Sequence, residues 1–228
     1  MNNTPLLTVR NLEKRFVKGK ASFHILKGIS IEVKKNETIG LVGVSGAGKT
    51  TLLQIIGTLD RPTEGEVIFD GLDVLSLRRD ELANFRRQNI GFIFQSYNLL
   101  PEFNAVENVM LPLMVDRQPK EDAFHRASHL LERVGLKERL SHRVGELSGG
   151  EQQRVAISRA ISLGPSLILA DEPTGNLDKK TGENVIALLR DVVSREGSTL
   201  IMVTHNEQLI SQFDRRFLID DGKVLEER

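Results

Sequence analysis

The chain has 228 residues, 31 Lys and Arg against 31 Asp and Glu, and no cysteine. That length suffices for one α/β domain with a sizeable core. The balanced charge leaves no field to draw the protein onto DNA, RNA or an acidic lipid surface, and the missing cysteines exclude disulfides, thiolate nucleophiles and Cys-ligated zinc.

The opening Met1-Asn2-Asn3-Thr4-Pro5 lacks the basic-then-apolar pattern of a signal peptide, and no apolar run approaches the ~18 residues of a membrane span, so a soluble, cytoplasmic protein is expected. In chain order, the first third predicts short strands over residues 6–10, 29–33, 38–42 and 67–69, separated by turn-type residues such as Asn36 and Asp70-Gly71. A Leu- and Ile-rich helix is predicted from Gly48 to Gly57. A strand over 90–94 then precedes a stretch of helical periodicity over about 96–143. The last third alternates: a helix from about Gly149, strand 167–171, helix 179–195, strand 199–203 and helix 207–213. Strands alternating with helices predict a parallel sheet covered on both faces, here an α/β core interrupted by a helical insert.

Three segments carry chemistry. Gly43-Val44-Ser45-Gly46-Ala47-Gly48-Lys49-Thr50 matches G-x-x-x-x-G-K-[ST] between a predicted strand and a predicted helix. Its glycines let successive N–H groups curl toward phosphate oxygens, and the helix start adds a positive dipole end. Lys49 supplies a point charge for β- and γ-phosphates, and Thr50 a hydroxyl for Mg²⁺. Strand 167–171 ends in Asp171-Glu172, at the sheet edge where α/β proteins bind ligands. There Asp171 is expected to hold Mg²⁺ and Glu172 to polarise an attacking water. His205 and Gln95 end two further strands at the same predicted edge, His205 for a γ-phosphate contact and Gln95 for the metal or water. Finally, Leu147-Ser148-Gly149-Gly150-Glu151 opens a helix with a serine cap, a second end suited to an anion.

A second phosphate-binding helix end has no use in a single site. Over essentially its whole length the chain resembles the nucleotide-binding subunits of ABC transporters. Those subunits are P-loop NTPases with a RecA-like core, a small antiparallel β subdomain and an inserted α-helical subdomain. The resemblance implies one domain over 1–228, with a nucleotide-binding core at 1–95 and 144–228 and a helical subdomain at 96–143. It identifies 43–50 as the P-loop, Gln95 as the Q-loop, 147–151 as the signature and 167–172 as the Walker B segment. It also makes Asn176-Leu177-Asp178 the D-loop and His205 the switch histidine. ATP and Mg²⁺ are the implied ligands, contacted by Gly43, Ser45, Gly46, Ala47, Gly48, Lys49, Thr50 and Thr51. Phe16 is implied to stack on adenine, in a place where the family usually has Tyr. Ser148, Gly149, Gly150 and Asp178 are implied to act across a head-to-tail homodimer that clamps each ATP between one P-loop and the other copy's signature.

Within the family, residues 91–101, Glu107-Asn108-Val109 and 170–178 resemble the branch holding the lipoprotein-releasing ATPases, the macrolide exporters and a cell-division ATPase. Leu111-Pro112-Leu113 and the lack of a fused membrane domain favour the lipoprotein-releasing type. That implies ATP-driven work on the cytoplasmic face of the bacterial inner membrane, through integral permease subunits docking near residues 95–115. A macrolide-type pump and a non-transporting cell-division ATPase are the alternatives. Most apolar residues of 97–115 are also expected to be core of the helical insert.

Overall fold

The computed structural model describes residues 4–19 and 21–227. The chain begins with β1 (Leu7–Lys18), β2 (Ala21–Val33), β3 (Thr38–Val42), α1 (Lys49–Ile56), β4 (Glu64–Phe69), β5 (Leu72–Asp73) and α2 (Arg79–Asn89). It continues with β6 (Ile90–Phe94), α3 (Ala105–Val115), α4 (Lys120–Arg133), α5 (Gly149–Ala160), β7 (Leu167–Asp171) and α6 (Lys179–Glu196). It closes with β8 (Thr199–Val203), α7 (Glu207–Ile210), β9 (Arg215–Asp220) and β10 (Lys223–Glu227). Two compact units divide these elements, one of residues 1–86 with 199–228 and one of residues 87–198.

In the first unit, β1 pairs antiparallel with both β2 and β4, giving a sheet of order β2-β1-β4-β5. A second layer runs β10-β9-β3-β8, with β3 parallel to both β8 and β9 and β10 returning antiparallel. Every residue of β8 is buried, as is β3 beyond Thr38. Such continuous apolar runs are what a parallel strand needs when both its faces are covered. The parallel sheet and the antiparallel N-terminal subdomain both match the sequence expectation.

In the second unit, β6 and β7 pair in parallel from Ile90↔Leu167 to Phe94↔Asp171. Helix α6 buries Val185, Ile186, Leu189, Val192 and Val193, one stripe at helical spacing, and stops at Gly197 in the left-handed region. Helix α3 packs on α4 and α5 through fully buried Val109, Leu113, Leu130, Leu131 and Ile157. Asn108, also fully buried, accepts from Leu100 N and donates to the carbonyls of Leu100, Phe103 and Asn104, so it organises the loop that leads into α3. Glu196 receives Arg126 of α4 at 2.9 Å, and Arg133 as well. Burial by itself pushes the Glu196 carboxyl up, but the two guanidiniums overcome it and hold it below the usual carboxylate range.

Several parts of the fold go beyond the sequence expectation. Helix α2 buries only Leu82, so it has no apolar stripe to announce it. Strands β9 and β10 do carry a signal, since Phe217 and Ile219 alternate inward before Asp221-Gly222, a hairpin dipeptide with both residues at positive φ. The hairpin of β1 and β2 extends well past the predicted stretches, because its tip pairs as far as Phe16↔Phe23 and beyond.

Candidate functional site

In the first unit, β3 delivers the chain into the loop from Gly43, and α1 begins at Lys49 with Gly48 as its cap at φ 103°. A side chain at Gly48 would be strained by that φ, and its Cβ would lie 2.8 Å from Leu26 Cδ2 of β2. Helices α3, α5 and α6 cap their first turns with Asn104, Ser148 and Asp178. Helix α1 has no side-chain cap and no acid in its first turn. A helix start without a side-chain cap or an acid, with the positive end of the dipole behind it, suits an anion from outside the helix. Lys49, 7% exposed, folds back so that Nζ donates to Gly43 O at 2.7 Å and Val44 O at 2.9 Å. The loop thus holds an ammonium at its centre on weak neutral acceptors, which phosphate oxygens would outcompete. Ser45, Gly46 and Thr50 are exposed, Thr51 is half-buried and Ala47 is buried, so the loop's outer rim faces solvent.

His205 lies at the same end of this layer. Leu41 pairs with Val203, so Gly43 and His205 each stand two residues past neighbouring points on parallel strands. Thr204 N donates to Leu41 O, and Thr204 Oγ1 accepts from Asn206 N, which fixes the turn that presents an exposed His205. Phe16, on the β1–β2 hairpin, is 44% exposed, with Lys14 Nζ 4.8 Å from the ring centroid. It is an open aromatic face of the kind that stacks on a base.

In the second unit the register Phe94↔Asp171 brings Gln95 and Glu172 to one strand end, as the sequence predicts. Glu172 takes φ 46°, a left-handed conformation uncommon outside glycine. Gln95 and Asn176 exchange two hydrogen bonds, Gln95 Nε2 to Asn176 Oδ1 at 3.2 Å and Asn176 Nδ2 to Gln95 O at 3.0 Å. Beyond Gln95, Tyr97 and Asn98 also stand at positive φ, with Arg159 of α5 donating to both their carbonyls. Burial lowers the pKa of that guanidinium. Among the described residues no group of three or more His, Asp or Glu could hold a metal. A hydroxyl, an amide and a carboxylate are oxygen donors of the kind Mg²⁺ takes; of the residues the sequence offers for it, Thr50 lies in the first unit and Gln95 and Asp171 in the second.

The signature end of α5 is closed by its own residues. Ser148 Oγ accepts from Glu151 N and donates to Glu151 Oε2 at 2.8 Å; the same oxygen accepts from Ser148 N at 2.8 Å, and Oε1 accepts from Arg139 Nε at 3.0 Å. The Ser148 N–H, then Arg139 and the Ser148 hydroxyl, hold the Glu151 carboxyl below its ordinary range. The sequence indicates the cap but not that Glu151 reaches back to fill it, although the S-x-x-E spacing of a capping box was there to be read. Asp178 likewise caps α6 by accepting from Thr181 N at 3.1 Å. Gly149 lies under Tyr97 and Leu177, which bring the Q-loop and D-loop against the signature within this unit.

The model of the family described as "ABC transporter" matches residues 26–175. The chain belongs to the ABC transporter family. This ABC cassette is 54% identical over 220 residues to the lipoprotein-releasing system ATP-binding protein LolD of Geobacter metallireducens, covering 96% of this chain and 98% of that protein. It is 50% identical over 221 residues to LolD of Myxococcus xanthus, covering 97% of this chain and 99% of that one. Among solved structures, a dimeric ATP-binding cassette in a post-hydrolysis state with ADP and Pi superposes with a TM-score of 0.89 at 40% identity, covering 97% of this chain and 98% of that one. The ABC cassette is an ATP-binding, ATP-hydrolysing protein. None of its described helices is long and apolar enough to cross a membrane.

Proposed function

We propose that this chain is the ATPase of a lipoprotein-releasing system, working as a pair of copies on the cytoplasmic face of the inner membrane beneath integral membrane subunits. The observation that carries the ATP half is the uncapped start of α1, with Lys49 folded onto the loop that precedes it. The lipoprotein half is supported by the LolD relatives, whose likeness runs over nearly the whole of both chains.

In this reading the N–H groups of residues 43–51 and Lys49 bind the phosphates, and Phe16 stacks on adenine. Thr50, Asp171 and Gln95 hold Mg²⁺, which neutralises charge on the phosphates when bound. Glu172 takes the proton of the attacking water, His205 contacts the γ-phosphate, and Ser148, Gly149, Gly150 and Asp178 meet the nucleotide held by the other copy. Ser148 must then exchange its bond to Glu151 for one to phosphate, so the capping box is the resting state of the signature.

Docking of a membrane subunit near residues 95–115 is supported by a groove of about 220 Å³ in the second unit. It is lined by Arg87, Phe92, Phe94, Pro112, Leu163 and Pro165. Met114 and Val115, at the end of α3, are 42% and 65% exposed. A mostly apolar groove of that size, bordered by Pro112 of α3, suits an apolar side chain or two of a docked helix.

Depletion of the chain in its own cells tests the reading. Lipoproteins bound for the outer membrane are expected to accumulate in the inner one, and polytopic membrane subunits are expected to co-purify with the tagged chain. Normal lipoprotein release on depletion would sink the proposal. Macrolide sensitivity or a division defect in its place would favour one of the two related systems.

A further inference from the structure

The paired hydrogen bonds between Gln95 and Asn176 do more than join two loops. Asn176 Nδ2 meets a backbone carbonyl, which can only accept, so the orientation of the Asn176 amide is determined. Its Oδ1 is then the atom that faces Gln95, and the Gln95 amide must present Nε2 to it. The other end of that amide, Oε1, is then the acceptor not used in this pair. Oxygen, not nitrogen, is what a hard divalent cation takes.

Gly175 makes room for this arrangement. A Cβ there would lie 2.6 Å from Gln95 Nε2 and 2.9 Å from Cδ. The far side of the segment is fixed independently, by Arg159 on the carbonyls of Tyr97 and Asn98 at 2.8 and 2.6 Å. Gln95 is exposed, and an exposed glutamine ordinarily samples both amide orientations and several rotamers. Here the bond to Asn176 favours one of them.

From this pairing we infer that Asn176 is a positioning residue for the metal: by engaging Nε2 it leaves the Gln95 carbonyl oxygen as the ligand for the divalent cation that accompanies ATP. The inference rests on the assignment of Gln95 as a ligand to that cation. It gives the middle of the Gly175-Asn176-Leu177 turn a role separate from contact with a second copy of the chain. Loss of the Asn176 side chain frees the amide to rotate and to offer nitrogen as readily as oxygen. Nucleotide held by the P-loop without metal is untouched.

The test uses the full chain, Asn176→Ala, Gln95→Ala and the double variant. Mn²⁺ affinity of the protein loaded with a non-hydrolysable ATP analogue is read by electron paramagnetic resonance, and nucleotide affinity in EDTA by fluorescence. Asn176→Ala is expected to weaken Mn²⁺ binding by about tenfold, the lower end of what losing an outer partner of a metal ligand costs. Affinity in EDTA and the melting temperature should stay at the wild-type values. The double variant should match Gln95→Ala, because Asn176 acts only through Gln95. Wild-type Mn²⁺ affinity in Asn176→Ala, or a further loss from Asn176→Ala in the Gln95→Ala background, overturns the inference. So does an equal loss of affinity in EDTA.

The side-chain amide signal of Gln95 in an NMR spectrum separates the two ways of failing. If it does not move in Asn176→Ala, the pairing itself is refuted. If it moves while Gln95→Ala leaves Mn²⁺ affinity unchanged, the assignment of Gln95 to the cation is what fails, and the inference falls with it.

Discussion

Replacing Glu151 by alanine isolates the device that closes the signature helix. The carboxylate accepts from the N–H and the hydroxyl of Ser148 and from Arg139. Losing this half of a capping box costs about 1 kcal/mol. The Arg139 pair adds at most a few tenths of that, about 0.3 kcal/mol, since its side chains are 45% and 27% exposed. For a chain of this size about 1 kcal/mol lowers the melting temperature by ~2–4 °C. The pH dependence supplies the sharper test. The folded pKa of Glu151 lies below its unfolded value, so its contribution is complete above the ordinary carboxylate range and is lost as pH falls through the depressed folded value. Melting curves of wild type and Glu151→Ala followed by circular dichroism should therefore differ fully at neutral pH and converge in acid. Glu196 and Asp178 are also held low, but both are present in each protein and cancel in the difference. Equal melting at neutral pH, or a gap that persists unchanged in acid, would refute the reasoning.

Lys49→Ala removes the ammonium at the centre of the phosphate loop and is expected to abolish tight ATP binding; undiminished affinity for a fluorescent ATP analogue would rule out the P-loop assignment. Glu172→Gln should bind ATP normally but hydrolyse it at least ~10²-fold more slowly, as loss of a general base implies, and should accumulate as an ATP-bound dimer on gel filtration. Unimpaired turnover removes Glu172 as the base. Mixing a Ser148→Ala chain with a Lys49→Ala chain should restore partial ATPase activity, because mixed dimers contain one intact site and one doubly damaged one. No recovery under conditions where mixed dimers form counts against shared sites. Gly91→Ala places a Cβ 2.3 Å from Ala160 O at the end of α5, and the overpacking should destabilise the chain by about 1–3 kcal/mol in a urea titration.

Much of this protein was legible before any coordinates. The strand–loop–helix of residues 38–56, the acids at the end of β7 and the cap of α5 are local patterns, set by residues a few positions apart. Steric rules and helix-end chemistry act at that range, so the sequence alone determines them. The missed helix α2 had no apolar stripe to reveal it, whereas the β9–β10 hairpin had its Asp-Gly signal and could have been found.

What only the tertiary structure decided lies between residues far apart in the chain. Gln95 and Asn176 are 81 positions apart, and Arg126 and Glu196 are 70 apart. No periodicity relates such pairs; they meet because packed apolar elements bring their ends together, and only then can polar groups choose partners. The sequence named Gln95 and Ser148 as functional. The fold decided that one is held by Asn176 and the other, at rest, by Glu151.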